Sequence, residues 1–290
     1  MPPKIGVSMN DLSFPSARSV AAASRLTARY GAGLPAPAAW NETLDLLLSH
    51  RSVRAYLPDA LPEGTLEALV AAAQSAASSS NLQAWSVIAV EDPARKARLA
   101  ALAGNQKHIV EAPLLLVWLV DLNRLGAIAT AQQQPAEALD YFDSFLLGAV
   151  DAALAAQNAV VALESLGLGG VYIGALRNKP LEVAAELGLP PNVVAVFGLV
   201  VGHTDPARPA DVKPRLPQQA VLFREQYGFG AAGLHDVEAY NERFRVFQRE
   251  QGLPEQDWSA QAGNRVRNVE SLNGRHVLRD ALHQRGFGLK

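Results

Sequence analysis

The chain has 290 residues, of which 49% are hydrophobic and 19% charged, with 22 glycines and 18 prolines, the composition of a globular protein able to build a sizeable core. Basic and acidic residues number 26 and 28, a net charge of −2, so no overall basic field drives non-specific binding of nucleic acid or of an anionic membrane. Zero cysteines exclude disulfides, thiolate metal sites and thiol nucleophiles together, and fit a cytoplasmic protein.

Residues 1–39 read as an N-terminal arm. Lys4, Arg18, Arg25 and Arg29 face the single acid Asp11, a bias shared with organellar transit peptides, but Ser19 to Tyr30 is patterned as a short helix and residues 31–37 as a linker. Helices are then predicted from Trp40 to His50 and Glu63 to Ala77, a strand from Ser86 to Val90, and a helix from Pro93 to Ala103. Leu114 to Val120 is a continuous apolar run and reads as a buried strand, as do Val171 to Ile173 and Val193 to Val201. The helix predicted from Tyr141 to Leu166 stops at Gly167 and Gly169, since glycine reaches the left-handed conformation at little cost. Its stretch Phe145 to Leu163 is nearly apolar enough for a membrane span, yet Asp151, Gln157 and Asn158 mark it as the central helix of a globular protein or dimer. A short helix from Pro180 to Leu187 is closed by Gly188 and Pro190.

After Pro217 the chain turns polar. Two amphipathic helices, His235 to Glu250 and Arg265 to Gln284, are separated by Gly252-Leu253-Pro254; this extension (about 218–290) reads as an independent module or, being too small to bury a core alone, as a segment expected to wrap around a neighbouring surface. Helices and strands mix without strict alternation, which favours a three-layer α+β domain over residues 40–290 rather than a doubly wound sheet.

His50-Arg51-Ser52-Val53-Arg54 packs two guanidinium groups, an imidazole and a hydroxyl at the end of a helix, a set suited to a phosphate; a solvated helix end explains the same residues. Lys213-Pro214-Arg215-Leu216-Pro217 presents two cations from a turn stiffened by proline, for recognition or as a plain surface turn. Ser78-Ser79-Ser80-Asn81 offers hydroxyls and backbone N–H groups before a strand, or is a polar loop. Glycines on both sides of Val171-Tyr172-Ile173 permit close backbone approach to a flat ligand or a structural turn, and Gln106 presents an amide at a helix end or caps it. The six histidines are scattered, so no metal site is expected, and neither a G-x-S-x-G elbow nor a P-loop is present.

HRSVR at 50–54, SSSNLQ at 78–83, GNQKH at 104–108, ESLGLGGVYIGALRN at 164–178, FGLVVGH at 197–203 and KPRLP at 213–217, in that order, resemble the nitroreductase family, in particular its flavin reductase and oxygen-insensitive NADPH nitroreductase subgroup. The resemblance spans about residues 40–290. It implies a homodimer of α+β subunits with a central, mostly antiparallel sheet flanked by helices and a domain-swapped C-terminal segment. It also implies one FMN per subunit and two-electron ping-pong transfer from NADPH or NADH to nitroaromatics, quinones, flavins or related acceptors. By motif match, Arg51, Ser52, Lys213 and Arg215, with His50 alongside, resemble the phosphate-binding residues. Arg54 resembles the cation facing the N1 and O2 edge of the ring and supporting its reduced form, so no protein side chain acts as the catalytic acid or base. Ser78 and Gln106 resemble residues that hydrogen-bond the flavin, and Tyr172, Ile173, Gly174 and Ala175 the segment along the ring, where relatives commonly have glycine at the position of Ala175.

The chain departs from NADPH-preferring relatives at Gln251–Asp257, which is acidic and lacks arginine, leaving Arg249 just upstream as the candidate for the 2′-phosphate and implying relaxed or NADH-leaning use. Two alternatives stand beside the oxidoreductase: a flavin reductase supplying reduced FMN to a partner monooxygenase, and a flavin-binding protein without turnover.

Overall fold

The computed structural model describes residues 17–31, 34, 37 and 39–290. In chain order the elements are α1 (Ala17–Tyr30), α2 (Glu42–Ser49), α3 (Thr65–Gln74), β1 (Trp85–Val90), α4 (Pro93–Leu102), α5 (Lys107–Glu111), β2 (Leu114–Asp121) and α6 (Asn123–Ala131). They continue as α7 (Phe142–Ser165), β3 (Gly169–Ile173), α8 (Pro180–Glu186), β4 (Val193–Gly202), α9 (Ala231–Glu250), α10 (Trp258–Arg265) and α11 (Leu278–Gln284). The described residues form two compact units, one of 51–211 with 260–290 and one of those up to 50 with 212–259.

The first unit is built on a four-stranded, wholly antiparallel sheet in the order β1-β2-β4-β3. β2 is apolar at nearly every position because both its faces are covered. Leu115, Val117 and Leu119 enter one core with α4, α5 and α8, while Leu114, Leu116, Trp118 and Val120 enter a second core with α3, α7 and Leu282 of α11. Helices on both faces of the sheet make the three layers expected from the sequence. The β2–β4 register slips between Trp118 and Leu119, which pair with Phe197 and Ala195, so Val196 is an extra residue in β4. Side-chain parity confirms this: Val194 and Val196 face the α7 core, as do Leu199 and Val201 beyond the bulge.

α7 is the one helix among the described residues long and apolar enough to cross a membrane, with 44% of that window buried inside the protein. Its buried face carries Gly148, Asp151, Ala152, Ala155, Ala156 and Ala159, small residues that let it lie close to the sheet. A Cβ on Gly148 would sit 2.7 Å from Cγ1 of Val120, so the helix approaches as closely as a glycine permits.

The C-terminal expectation is corrected in one respect. Arg265 to Gln284 is not a single helix: α10 ends at Arg265, two 3₁₀ turns follow, and α11 begins at Leu278. The breaks are Asn273 (φ 53°) and Gly274 (φ 88°), both left-handed, and a side chain at Gly274 would meet the carbonyl oxygen of Asn178 at 2.9 Å. α5 and α6 are further helices that the apolar periodicity did not disclose. The long helix, the four strands, α4 and α8 lie within a few residues of where the sequence placed them.

Candidate functional site

In the sheet unit, Arg51 to Arg54 runs extended along the edge strand β3. Ser52 forms a parallel bridge to Gly170, and the N–H of Val53 donates to the carbonyl of Gly170 at 3.0 Å. Glycine makes this possible: a Cβ on Gly169 would lie 2.8 Å from Cγ2 of Val53 and 2.6 Å from Cγ2 of Thr204. The period-2 alternation of an extended segment then buries Val53 and Ala55 and leaves Arg54 between them exposed, while Arg51 is exposed at the start of the segment. The motif at 50–54 and the glycine-flanked strand, far apart in sequence, are therefore neighbours.

Arg54 also acts on the 104–108 segment. Burial lowers the pKa of the His108 imidazole, the charge of Arg54 lowers it further, and Glu111 opposes both. Nε2 of His108 is buried without a hydrogen-bond partner. Gln106 stands at the N-cap position of α5 rather than closing α4, and its amide donates to the carbonyl of Ala103 at 3.0 Å.

Ser78 opens a loop held by a buried carboxylate. Asp151, 2% exposed on α7, accepts from Oγ of Ser78 (2.7 Å), N–H of Ser79 (3.2 Å) and N–H of Ala84 (3.1 Å). Ser78 Oγ in turn accepts from the N–H of Gln83 at 2.7 Å. Its one proton is committed to Asp151, so toward a ligand Ser78 offers a lone pair and no donor. The loop between is tight, with Ser80, Asn81 and Gln83 all left-handed at φ 49°, 55° and 51°.

Tyr172 on β3 packs edge-on against Phe197 with centroids 5.3 Å apart, and burial raises its phenol well above the ordinary range, keeping it protonated. The chain then turns through Gly174 to Asn178, and the methyl of Ala175 lies buried in the core beside Ile173 and Leu176 rather than facing outward. Arg177 donates to the carbonyl of Val196, the residue that the β4 bulge frees from the ladder. Its neighbours are Arg275, whose Nε donates to Oδ1 of Asn178 at 2.9 Å, and Arg265. Burial and the charges of Arg275 and Arg265 lower the pKa of Arg177, and none of the three forms an ion pair among the described residues. Three mutually repelling guanidinium groups beside a glycine turn suit an anion or a strongly polarised acceptor. Motif reasoning did not assign these three residues; their shared basic side chains are the one signal in the sequence, and Arg177 lies almost 100 residues from Arg275.

The second unit holds His50, Lys213, Arg215 and Arg249. His50 caps the C-terminus of α2. The Lys213–Arg215 turn is clamped through its backbone: Tyr240 Oη donates to the carbonyl of Pro214 at 3.0 Å, Arg29 donates to that of Lys213 at 2.7 Å, and the N–H of Arg215 donates to the carbonyl of Arg29 at 2.9 Å. Arg243 lies over the Tyr240 ring at 5.8 Å, with Nε and Nη2 buried and unpartnered. Burial raises the phenol pKa of Tyr240, with Arg215 and Arg243 opposing. The arginines at the end of α9 are engaged by the acidic loop: Arg249 makes two bonds to Glu255 at 2.9 and 2.8 Å, and Arg245 pairs with both Glu242 and Asp257. Among the described residues no cluster of three or more metal-ligating side chains is found.

Comparison with known proteins agrees with these features. Residues 47–203 match the nitroreductase family model and residues 213–290 that family's C-terminal domain model. The chain is 37% identical over 251 residues to an FMN reductase (NADPH) of Bacillus subtilis (strain 168), covering 85% of this chain and 98% of that relative. It is 43% identical over 185 residues to an oxygen-insensitive NADPH nitroreductase of Salmonella typhimurium, covering 64% of this chain and 74% of the relative. Among solved structures, the hypothetical oxidoreductase YcnD from Bacillus subtilis superposes with a TM-score of 0.82 at 34% identity, over 87% of this chain and all of that one. Two family models covering most of the chain, and relatives of this identity matched over nearly their whole length, establish that the protein is a member of the nitroreductase family.

Proposed function

We infer that the protein is an FMN-dependent NAD(P)H oxidoreductase that reduces nitroaromatics, quinones or related acceptors by two-electron ping-pong transfer. The observation that carries the reading is the pair of backbone-fixed basic motifs, Arg51–Arg54 locked to the glycine strand and Lys213–Arg215 clamped at its carbonyls, in a chain whose relatives include FMN reductases and nitroreductases. The donor set fits FMN. A phosphate monoester needs several cations, and each unit offers its own: Arg51 with Ser52 in the sheet unit, and Lys213 and Arg215 with His50 in the other, where Arg243 holds two buried nitrogens in want of an acceptor. A flat ring needs close backbone approach, and at Gly174 the nearest atom that a Cβ would meet is Nη2 of Arg177, at 3.4 Å.

When bound, FMN supplies the redox chemistry, taking hydride from NAD(P)H and returning two electrons to the acceptor. The protein binds, orients and polarises. Arg54 places positive charge where the reduced ring gathers negative charge. Ser78, its proton held by Asp151, accepts from a ring N–H, Gln106 supplies an amide, and Tyr172 to Ala175 line the ring. Arg177, Arg265 and Arg275 hold the polarised group of an acceptor.

A homodimer with an exchanged C-terminal segment is part of this proposal, and exposed apolar surface supports an interface. Phe142, Leu146, Val150 and Leu154 form an exposed stripe at i, i+4 spacing on α7, and Val221, Leu222, Tyr227 and Leu234 are exposed in the other unit. The occupant proposed for both is a second copy of this chain, in the cytoplasm.

The test is a visible spectrum of the purified protein followed by anaerobic mixing with NADH and with NADPH. A yellow protein bleached by either establishes the activity; a colourless protein that binds no added FMN overturns it, and one that binds FMN without reduction is a flavin carrier. The relatives named FMN reductase favour one second reading, supply of reduced FMN to a monooxygenase, which loss of FMN on dialysis would select.

Arg249 remains the candidate for the 2′-phosphate of NADPH, with its Nε–Nη2 edge occupied by Glu255. Releasing an exposed pair of this kind is worth up to about 1 kcal/mol. Glu255→Gln is therefore expected to raise kcat/KM for NADPH about 3–5-fold relative to NADH, and Arg249→Ala to raise KM for NADPH more than for NADH. Parallel changes for the two coenzymes would remove Arg249 from the role.

A further inference from the structure

We infer that helix α1 is a working part of the phosphate grip, with Arg29 as its positioning residue. The inference rests on the FMN reading above. α1 lies outside both family-model matches, which begin at residue 47, and a relative matched over 98% of its own length leaves 15% of this chain without a counterpart. It is an addition to the family's domain.

Arg29 is 6% exposed, a position that a guanidinium occupies at high cost unless its donors are satisfied. Nη1 donates to the carbonyl of Lys213 at 2.7 Å, and Nη2 to the carbonyls of Leu48 at 2.9 Å and His50 at 3.0 Å. The Leu48 and His50 carbonyls stand at the C-terminal end of α2, where helical carbonyls lack intrahelical partners and the dipole favours a cation. The carbonyl of Arg29 itself accepts from the N–H of Arg215 at 2.9 Å. One residue thus fixes the backbone at His50 and on both sides of Pro214, the segments that carry His50, Lys213 and Arg215. The rest of α1 holds Arg29 in place: Ala22 and Leu26 are buried, and Arg25 makes a two-point pair with Asp45 of α2 at 2.9 Å.

Side chains that reach a phosphate from a clamped backbone bind it without first being ordered. Arg29 therefore contributes to affinity for the phosphate and not for the ring. Riboflavin, which has the ring and no phosphate, separates this from a general structural role.

The experiment measures Kd for FMN and for riboflavin by fluorescence titration of the full chain and its Arg29→Met and Arg29→Lys variants, with Tm recorded for each. Arg29→Met is expected to weaken FMN binding about 10–100-fold and riboflavin binding less than about 3-fold. Arg29→Lys, which keeps the charge and loses the three-carbonyl fork, is expected to fold and to lose about 3–10-fold on FMN alone. It decides the matter if the methionine variant is unstable. Equal losses for both flavins, or unchanged discrimination in the lysine variant, overturn the role of Arg29 while leaving the FMN reading intact. An unaltered protein that binds neither flavin overturns the FMN reading, and this inference with it.

Discussion

Asp151→Ala is expected to cost about 3–5 kcal/mol of stability, read as a fall in the urea midpoint at unchanged slope. The carboxylate is buried and accepts three hydrogen bonds, so truncation strands the hydroxyl of Ser78 and the N–H groups of Ser79 and Ala84 where water does not reach easily. Asp151→Asn is expected to cost about half as much, because an amide retains one acceptor and turns a donor toward another donor. The loss extends beyond packing. Ser80, Asn81 and Gln83 hold left-handed conformations that a free loop would abandon, and Asp151 is what keeps both ends of that loop on α7. Freed of Asp151, Ser78 also regains a proton to donate, so the alanine variant should shift the visible spectrum of bound FMN where it folds. A variant as stable as the parent, with an unshifted spectrum, would show that the loop is held by other contacts.

Lys213→Ala combined with Arg215→Ala should give folded protein that purifies colourless. Each charge-assisted bond to a phosphate is worth about 1.5–3 kcal/mol, so losing both weakens FMN binding by about 10²–10⁴-fold. The fold should survive, since the carbonyls of Lys213 and Pro214 and the N–H of Arg215 make the bonds that hold this turn, and backbone groups remain after truncation. A double variant that retains a full complement of FMN would place the phosphate elsewhere.

Legibility in the sequence followed the range of the forces involved. β2 was readable because a strand buried on two faces has no polar alternation to confuse it, and α7 because small and apolar residues continue for more than six turns before a glycine stop. The break at Asn273-Gly274 was not, since the amphipathic pattern of 265–284 runs through it and only the contact with Asn178 shows why the backbone turns there. The same contrast divides the site. Arg51–Arg54 and Lys213–Arg215 are contiguous motifs, visible as runs of charge. The Arg177, Arg265 and Arg275 group is assembled by tertiary structure alone, as is the engagement of Arg249 by Glu255. The N-terminal arm read as an appendage because nothing in a stretch of Ala, Ser and Arg declares which carbonyls one of its arginines will meet.

The extra residue at Val196 constrains how this family member can change over time. Side chains on a strand alternate with a period of two, and Val196 and Phe197 lie on the same side, so deleting Val196 would close the bulge and leave Leu199 and Val201 facing the α7 core as before. The same deletion would take away the carbonyl to which Arg177 donates. Neither core needs the extra residue, so the irregularity should persist in lineages that keep the three-arginine cluster, where Arg177 uses the carbonyl it frees.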